Sequence, residues 1–150
     1  MINSIAVAPF RSSIITSSPE ETIVAGEWLA SRLRPGSVVA LRGGLGVGKT
    51  YFTKGIARGL GVQETITSPT YTMIAEYQGT LPLYHIDAYR LGGDADFSSI
   101  GGEEVIGGSG VSVIEWSERI PHAIPEHAVI VEITLLEQDR RMITLRNTPE

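Results

Sequence analysis

The chain contains no cysteine, which excludes disulfide bonds and thiolate chemistry. This composition fits a reducing compartment, so the cytoplasm is the expected location. Long apolar runs are also missing, and no window of the sequence reaches the ~18 residues that are needed to cross a bilayer. We therefore expect no membrane role. A length of 150 residues indicates one domain, spanning residues 1–150, without room for a separate substrate domain.

Basic residues are scarce as well. Twelve lysines and arginines stand against 17 acidic residues, so the net charge is −5. A protein that holds a nucleic-acid backbone by itself usually carries a basic face, because phosphate contacts supply most of the affinity. The one close basic cluster is Arg140 and Arg141, at a predicted hairpin turn. If RNA is involved, we expect another subunit to hold it.

The hydrophobic pattern predicts an α/β fold, with a mixed, mostly parallel sheet flanked by helices and a C-terminal antiparallel hairpin. One helix is predicted from Ser18 to about Leu33, and a second follows a glycine-rich loop and ends at Gly61. Residues 1–16 are predicted to be a flexible or strand-forming lead-in. The predicted strands are residues 38–41, 72–77, 83–87 and 111–115, with a hairpin at 128–136 and 141–145.

A glycine-rich segment lies between two of the predicted strands. Residues 92–110 hold seven of the 17 glycines in the chain. We interpret it as a mobile segment that contains one short helix at residues 94–100.

The glycine-rich loop carries the main chemical signal. Residues 43–50 fit the pattern G-x-x-x-x-G-K-[ST] in full. A shuffled chain of the same composition would contain this motif roughly 0.004 times, so chance is a poor explanation. In such a loop the backbone N–H groups surround an anion, the lysine reaches the β- and γ-phosphates, and the hydroxyl binds Mg²⁺. The residues predicted to bind the nucleotide are Gly43, Leu45, Gly46, Val47, Gly48, Lys49 and Thr50.

Two predicted strands end in a carboxylate. Asp87 follows one apolar run and Glu115 follows another. P-loop enzymes need an acidic group at the end of a neighbouring buried strand, close to the metal. At least one of these acids is therefore predicted to be catalytic, although position alone does not divide their roles. Trp116 adjoins Glu115 and is either a core residue or part of the site. His85 is interpreted as a packing or hydrogen-bonding residue, because no second metal ligand stands at a usable spacing.

Two further features bear on the nucleotide. The segment Ser68-Pro69-Thr70-Tyr71 is either a simple turn or a switch that reaches the γ-phosphate. The guanine-binding motif N-K-x-D is absent, because the two lysines, Lys49 and Lys54, lie elsewhere, and no aspartate begins a D-x-x-G motif. ATP is therefore the predicted nucleotide.

The order of the motifs resembles that of the TsaE (YjeE) family, small bacterial P-loop ATPases of tRNA threonylcarbamoyladenosine biosynthesis. The motifs are S-P-E-E-T at residues 18–22, G-G-L-G-V-G-K-T at 43–50, S-P-T-Y-T at 68–72, Y-H-I-D-A-Y-R-L at 84–91, G-G-E-E at 101–104 and V-I-E-W-S-E-R at 113–119. Together they cover roughly residues 18–146, and the combination of Y-H-x-D-x-Y-R with I-E-W is far more specific than the P-loop alone.

The resemblance implies a role for each matching residue. Lys49 and Thr50 would be the phosphate and Mg²⁺ residues, Glu115 the second carboxylate of the metal site, and Asp87 a catalytic acid. Trp116 would be the aromatic neighbour of the site, and the segment at residues 18–22 would lie near the base. The implied partners are TsaB and TsaD, with tRNA reached only through their complex, which ATP hydrolysis would reset.

Two other functions fit a P-loop chain of this size. A small-molecule kinase would need an acceptor pocket and usually an arginine-bearing lid, whereas residues 92–110 contain no arginine or lysine. A nucleotide-dependent interaction module would bind ATP and scarcely hydrolyse it. Turnover measured with and without partners separates these alternatives.

Overall fold

The computed structural model describes residues 6–8, 11–44, 48–67 and 73–149. Four α-helices and eight β-strands lie in this part of the chain. The helices are α1 (Pro19–Ala30), α2 (Lys49–Gly59), α3 (Asp94–Ser99) and α4 (Gly102–Ile106). The strands are β1 (Ala6–Ala8), β2 (Arg11–Thr16), β3 (Val38–Arg42), β4 (Ile74–Tyr77), β5 (Leu83–Asp87), β6 (Val111–Glu115), β7 (Val129–Leu135) and β8 (Arg141–Arg146). Short 3₁₀ turns span Ser117–Arg119 and Glu137–Asp139.

The eight strands form a single sheet in the order β1-β2-β8-β7-β3-β6-β5-β4. The four central strands, β7, β3, β6 and β5, run parallel, and the remaining neighbours pair antiparallel. The predicted α/β fold, a mixed sheet flanked by helices with a C-terminal hairpin, is confirmed, with parallel pairing confined to the centre. Because β3, β5 and β6 are parallel, their carboxyl ends meet at the same edge of the sheet.

Two apolar clusters cover the two faces of the sheet. On one face Val39 and Leu41 of β3 pack in a cluster with Leu29, Phe52 and Ile56 from α1 and α2. On the other, a second cluster joins residues of β3, β5 and β6 to Phe97 of α3 and to Ile120, with Val105 and Ile106 of α4 packed against it. Burial on both sides explains why the central strands are continuous apolar runs rather than alternating ones.

Glycine brings α1 and α2 into close contact. A Cβ atom added to Gly55 of α2 would lie 1.9 Å from the carbonyl oxygen of Ile23 in α1. A Cβ added to Gly26 of α1 would lie 2.2 Å from the carbonyl oxygen of Phe52. No real side chain tolerates such distances, so the two helices can approach this closely only at glycine. This packing holds the first turn of α2 against α1 at the edge of the sheet.

Side chains satisfy backbone N–H groups at the start of α1. Ser18 accepts a hydrogen bond from the backbone N–H of Glu21 at 3.1 Å, as an N-cap residue does. The Glu21 carboxylate accepts from the N–H of Ser17 at 2.8 Å, one residue before the cap itself. The helix also ends earlier than predicted. The hydroxyl of Ser31 donates to the carbonyl of Trp28, and turns replace the helix from there.

Residues 92–110 contain two helices, whereas the sequence predicts one. Helix α3 matches the predicted short helix, and α4 was missed because glycines surround it and glycine is a poor helix former. Tertiary packing supplies the stability, since a Cβ on Gly102 would lie 2.3 Å from the ring of Phe97. The predicted start of β4 at Thr72 lies outside the described residues.

The helices are short. The longest one in the described part of the chain, α1, has 12 residues, and none is long and apolar enough to cross a membrane.

Candidate functional site

The glycine-rich loop joins the end of β3 to the first turn of α2. Gly43 has a φ of +147° and Gly48 a φ of +104°, and only glycine adopts such angles without strain. Gly48 is the N-cap of α2, so the unpaired N–H groups of the first helical turn face the loop. This end of a helix attracts anions through its dipole and its donors. Leu45, Gly46 and Val47, which are predicted to bind nucleotide, lie outside the described residues.

Lys49, the first residue of α2, points into the protein. Its side chain is 6% exposed. The ammonium group donates a hydrogen bond of 2.9 Å to the carbonyl oxygen of Gly43. The same nitrogen lies 3.7 Å from the centroid of the Trp116 ring, a close cation–π contact. The charge is thus held by a backbone carbonyl and an aromatic face.

Burial lowers the pKa of Lys49, because a desolvated ammonium group is less stable than a hydrated one. Glu115, Glu118 and Asp87 oppose this shift by their negative charges, Glu115 most strongly. The negative charges of these nearby acids therefore stabilise the charged form of the lysine.

The two strand-end acids are direct neighbours. Asp87 and Glu115 are register partners on the parallel strands β5 and β6, and Glu115 is also the register partner of Leu41 on β3. Glu115 is 6% exposed. Asp87 is partly buried, and one of its oxygens accepts a 2.9 Å hydrogen bond from the N–H of Tyr89. The sheet thus brings both acids to the edge where the glycine-rich loop begins.

His85 lies behind this pair, on β5. It is completely buried, and its Nε2 lies 2.5 Å from Oε2 of Glu115. The structure places it in a hydrogen bond with a candidate site residue, in agreement with the interpretation of His85 as a hydrogen-bonding residue.

Trp116 adopts a left-handed backbone conformation, with φ +60°, which is uncommon for a bulky residue. Contacts on both sides fix the ring. Tyr89 packs against it with a centroid distance of 4.8 Å, and Lys49 lies on it as described above. The guanidinium of Arg119 in turn lies 5.0 Å from the centroid of Tyr89. The four side chains form a continuous series of contacts from the buried lysine to the surface.

A cavity of about 430 Å³ opens beside Gly48, on the side where α1 begins. Its lining includes Ser18, Pro19, Thr22, Gly48, Tyr51 and Arg141. Arg141 comes from β8, far along the chain, and its Nε lies 3.8 Å from where a Cβ on Gly48 would stand. The guanidinium also donates a hydrogen bond to the carbonyl oxygen of Asp139. A volume of several hundred Å³ suits a small organic ligand.

Comparison with known proteins places this site in a family. The family model "Threonylcarbamoyl adenosine biosynthesis protein TsaE" matches residues 16–143. The chain belongs to the TsaE family. That family acts in the formation of threonylcarbamoyladenosine in tRNA, and its members are nucleotide-binding proteins of the P-loop type.

Named relatives match this TsaE family chain over most of its length. The tRNA threonylcarbamoyladenosine biosynthesis protein TsaE of Treponema pallidum (strain Nichols) is 47% identical over 131 residues, 87% of this chain and 97% of the relative. The protein of the same name from Bacillus subtilis (strain 168) is 42% identical over 130 residues, 86% of this chain and 81% of the relative. A crystal structure of YdiB from Bacillus subtilis superposes with a TM-score of 0.77 at 38% identity, covering 92% of this chain and 86% of that one.

The predicted site residues that the structure of this TsaE family chain describes lie together. Lys49, Asp87, Glu115 and Trp116 meet at the carboxyl edge of the sheet, and Thr50 follows Lys49 in the first turn of α2. The segment at residues 68–71, predicted to be either a turn or a switch, lies outside the described residues.

Sequence reasoning missed Tyr89 and Arg141 as parts of the site. Tyr89 stands two residues after Asp87, and this spacing was the available signal. Arg141 was noted only as part of a basic pair, because nothing in a sequence shows that β8 reaches the start of α1.

Proposed function

We propose that this chain binds MgATP at residues 43–50 and hydrolyses it slowly to support the TsaB–TsaD complex, which forms threonylcarbamoyladenosine in tRNA. One observation carries the proposal. Buried Lys49, at the N-terminus of α2, lies in the electrostatic field of the two strand-end acids, Asp87 and Glu115. A cation for phosphate and acids for the metal and water are what phosphoryl transfer from ATP requires.

The phosphates would bind at the first turn of α2. There Lys49 exchanges the carbonyl of Gly43 and the face of Trp116 for phosphate oxygens. A charge-assisted hydrogen bond to phosphate is stronger than one to a neutral carbonyl. The phosphate would also stabilise the buried charge of Lys49, because neither the carbonyl of Gly43 nor the ring of Trp116 carries a full negative charge. Gly48 lets the backbone come close to the anion.

Mg²⁺ fits the oxygen donors at this edge of the sheet. Thr50 and Glu115 would hold it, a hydroxyl and a carboxylate of the kind that Mg²⁺ prefers. The described residues contain no group of three or more His, Cys, Asp or Glu side chains suited to a metal ion. The rest of the shell would therefore come from phosphate oxygens and water, as is usual for Mg²⁺ bound with ATP. The ion would supply charge neutralisation at the β- and γ-phosphates.

Asp87 is the acid we assign to the attacking water. It lies directly beside Glu115 in the sheet, and the hydrogen bond from the N–H of Tyr89 fixes one of its oxygens. A carboxylate that is held in this way orients a water molecule for in-line attack on the γ-phosphate. Trp116 and Tyr89 cover the site and limit the entry of other water molecules.

The nucleoside would occupy the 430 Å³ cavity between α1 and β8. Pro19 and Tyr51 offer apolar and aromatic surface to the base, and Arg141 offers a planar cation. The segment at residues 18–22, which the family resemblance places near the base, forms one wall of this cavity. Adenine is the base expected from the absence of guanine-binding motifs in the sequence.

The partners would complete the site and hold the RNA. The chain carries a net charge of −5, and residues 92–110 present four acidic side chains without any lysine or arginine. Such a surface repels tRNA phosphate, so we assign tRNA binding to TsaB and TsaD. Contact with the complex would cover the nucleotide and exclude water, which fast hydrolysis needs. The expected location remains the cytoplasm.

The test combines this protein with purified TsaB and TsaD, with and without tRNA. We expect slow hydrolysis alone, a changed rate with the pair, and tighter association in the presence of ATP. If ATP raises the affinity of this protein for TsaB and TsaD, then thermodynamic linkage requires that TsaB and TsaD raise its apparent affinity for ATP by the same factor. If TsaB and TsaD neither bind this protein nor alter its ATPase rate, the assignment to this complex is wrong.

The same assays separate the two alternatives. ATP binding without turnover under any condition would indicate a nucleotide-dependent interaction module. ADP release that a small metabolite stimulates, in the absence of the partners, would indicate a kinase.

A further inference from the structure

We propose that His85 is a positioning residue, which holds the carboxylate of Glu115 in the orientation needed for Mg²⁺-dependent nucleotide binding. This inference rests on the proposed function, since it assigns Glu115 to the metal. It extends that function to a residue that contacts neither nucleotide nor metal and acts through another side chain.

The pairing of β5 with β6 sets the contact. Register pairs His85 with Val113 and Asp87 with Glu115, so the imidazole reaches diagonally to the acid two residues further along β6. Residues two apart in a strand share a face of the sheet, so His85, Asp87 and Glu115 all lie on the same face. The distance from Nε2 to Oε2 is 2.5 Å, shorter than the roughly 2.7–2.9 Å that is usual for an N–H···O bond between charged groups. Two residues of β5 therefore flank Glu115 of β6. Asp87 lies directly beside it, and His85 holds it from the buried side.

The proposed metal role of Glu115 sets the direction of the hydrogen bond. A carboxylate that binds Mg²⁺ is ionised and only accepts, so Nε2 of His85 donates its proton to Oε2 of Glu115. The other ring nitrogen, Nδ1, has no hydrogen-bond partner within the described part of the chain. A buried acceptor without a donor is unfavourable. Packing alone would be served better by an apolar side chain, so the contact with Glu115 is what accounts for a histidine here.

The contact determines which oxygen of Glu115 faces the nucleotide. With Oε2 held from the buried side, the carboxylate cannot rotate freely, and Oε1 is left for the cation. A rotated carboxylate would therefore disturb the metal ligand, whereas its negative charge would still attract the ammonium group of Lys49. Ligands to a metal are commonly held by such outer contacts, and loss of one contact weakens metal binding about 10- to 100-fold.

Three substitutions separate positioning from simple packing. His85→Gln retains an amide donor near the place of Nε2. His85→Asn moves the donor to the place of Nδ1, where it does not reach Glu115, and His85→Leu removes the donor while keeping similar volume. His122→Leu is the control, because that imidazole is 90% exposed and pairs with Asp94, away from the site. Thermal unfolding verifies that each variant is folded.

The readout is the dependence of ATP affinity on Mg²⁺, measured by calorimetry, with a parallel titration in EDTA. We expect His85→Asn and His85→Leu to require about 10- to 100-fold more Mg²⁺ for half-maximal tightening of ATP binding. The Gln variant should stay within a few-fold of the parent. The affinity of each His85 variant for ATP in EDTA should equal that of the parent, because the phosphate contacts of Lys49 and the loop remain. In a Glu115→Gln background, His85→Asn should add no further change.

Two results would overturn the inference while leaving the proposed function intact. One is an equal Mg²⁺ requirement in the Gln and Asn variants. This comparison does not use His85→Leu, so the test stays valid if that variant does not fold. The other is an undiminished effect of His85→Asn in the Glu115→Gln background, which would indicate a structural role. If Glu115→Gln itself requires no more Mg²⁺ than the parent, the proposed metal role of Glu115 is wrong, and the inference fails with it.

Discussion

The ammonium nitrogen of Lys49 lies 3.7 Å from the centroid of the Trp116 ring. These residues are far apart in sequence and meet because α2 begins at the edge of the sheet where β6 ends. The left-handed backbone of Trp116 turns its ring back over this edge. The contact holds the lysine charge against an aromatic face rather than a carboxylate, and burial lowers the pKa of Lys49.

Replacement of Lys49 tests the phosphate site most directly. Lys49→Ala should weaken ATP binding about tenfold to a hundredfold, the loss expected for a hydrogen bond between charged groups. The free energy of unfolding should stay equal or rise, because the variant removes a buried charge and alanine favours helix. Calorimetry and thermal unfolding measure both effects.

The other lysine of the chain provides the control. Lys54 lies on the same helix, 5.4 Å from the ring of Tyr51, and Lys54→Ala should change ATP affinity by less than about threefold. Near-parental affinity in Lys49→Ala would contradict the proposed site.

Substitution of the strand-end acids should separate binding from chemistry. Asp87→Asn and Glu115→Gln keep side-chain size and remove charge, so each should lower the rate of ATP hydrolysis much more than the affinity for ATP. Acids near the metal and the water act mainly on the transition state, whereas the loop supplies ground-state binding. Steady-state turnover and ATP titration measure the two quantities.

Glu104→Gln serves as the matched control, since this exposed acid lies on α4. Its turnover should match that of the parent. If both strand-end variants hydrolyse ATP at the parental rate, neither acid is catalytic.

The adjacent arginines of the C-terminal hairpin should behave differently. Arg141 lines the cavity beside Gly48, whereas Arg140, just before it, is not among the lining residues. We expect Arg141→Ala to weaken ATP binding about 3- to 30-fold, the loss of a stacking or hydrogen-bonding contact with the nucleoside. Arg140→Ala should have little effect.

Competition between ATP and tripolyphosphate, which has no nucleoside, shows which part of the nucleotide Arg141 contacts. Its affinity should be the same in the parent and in Arg141→Ala if Arg141 contacts the base or ribose. An equal effect of the two arginine substitutions on ATP would show that Arg141 acts only through its charge.

The contact between α1 and α2 should not tolerate a methyl group. In Gly55→Ala the new Cβ would overlap the backbone of Ile23, and neither helix has space to retreat. We expect a loss of about 2–3 kcal/mol in the free energy of unfolding, in line with overpacked cores. Chemical denaturation measures it.

Gly107→Ala is the control. Its φ is −77°, and the nearest atom to an added Cβ lies 3.4 Å away. This variant should be as stable as the parent, and a similar loss in both would mean that backbone entropy rather than overlap explains the Gly55 result.

Local features of the sequence were sufficient for the elements that form the site. The strands at 83–87 and 111–115 agree with β5 and β6 at both ends, because apolar runs bounded by turn residues leave little choice of boundary. The glycine-rich loop was recognised because its motif is contiguous and each residue type has a chemical reason. The family followed from the same contiguous motifs.

Tertiary structure alone decided which distant residues meet. The pairing of β5 with β6 placed His85 against Glu115, and the pairing of β8 with β2 brought Arg141 to the start of α1. The contact of Lys49 with Trp116 depends on where α2 begins relative to β6. Sequence periodicity shows which face of a strand a residue occupies, but it does not show which strand lies next to it. Strand order follows from the burial of all the helices and strands together, and for that reason the neighbours of each candidate site residue became known only from the fold.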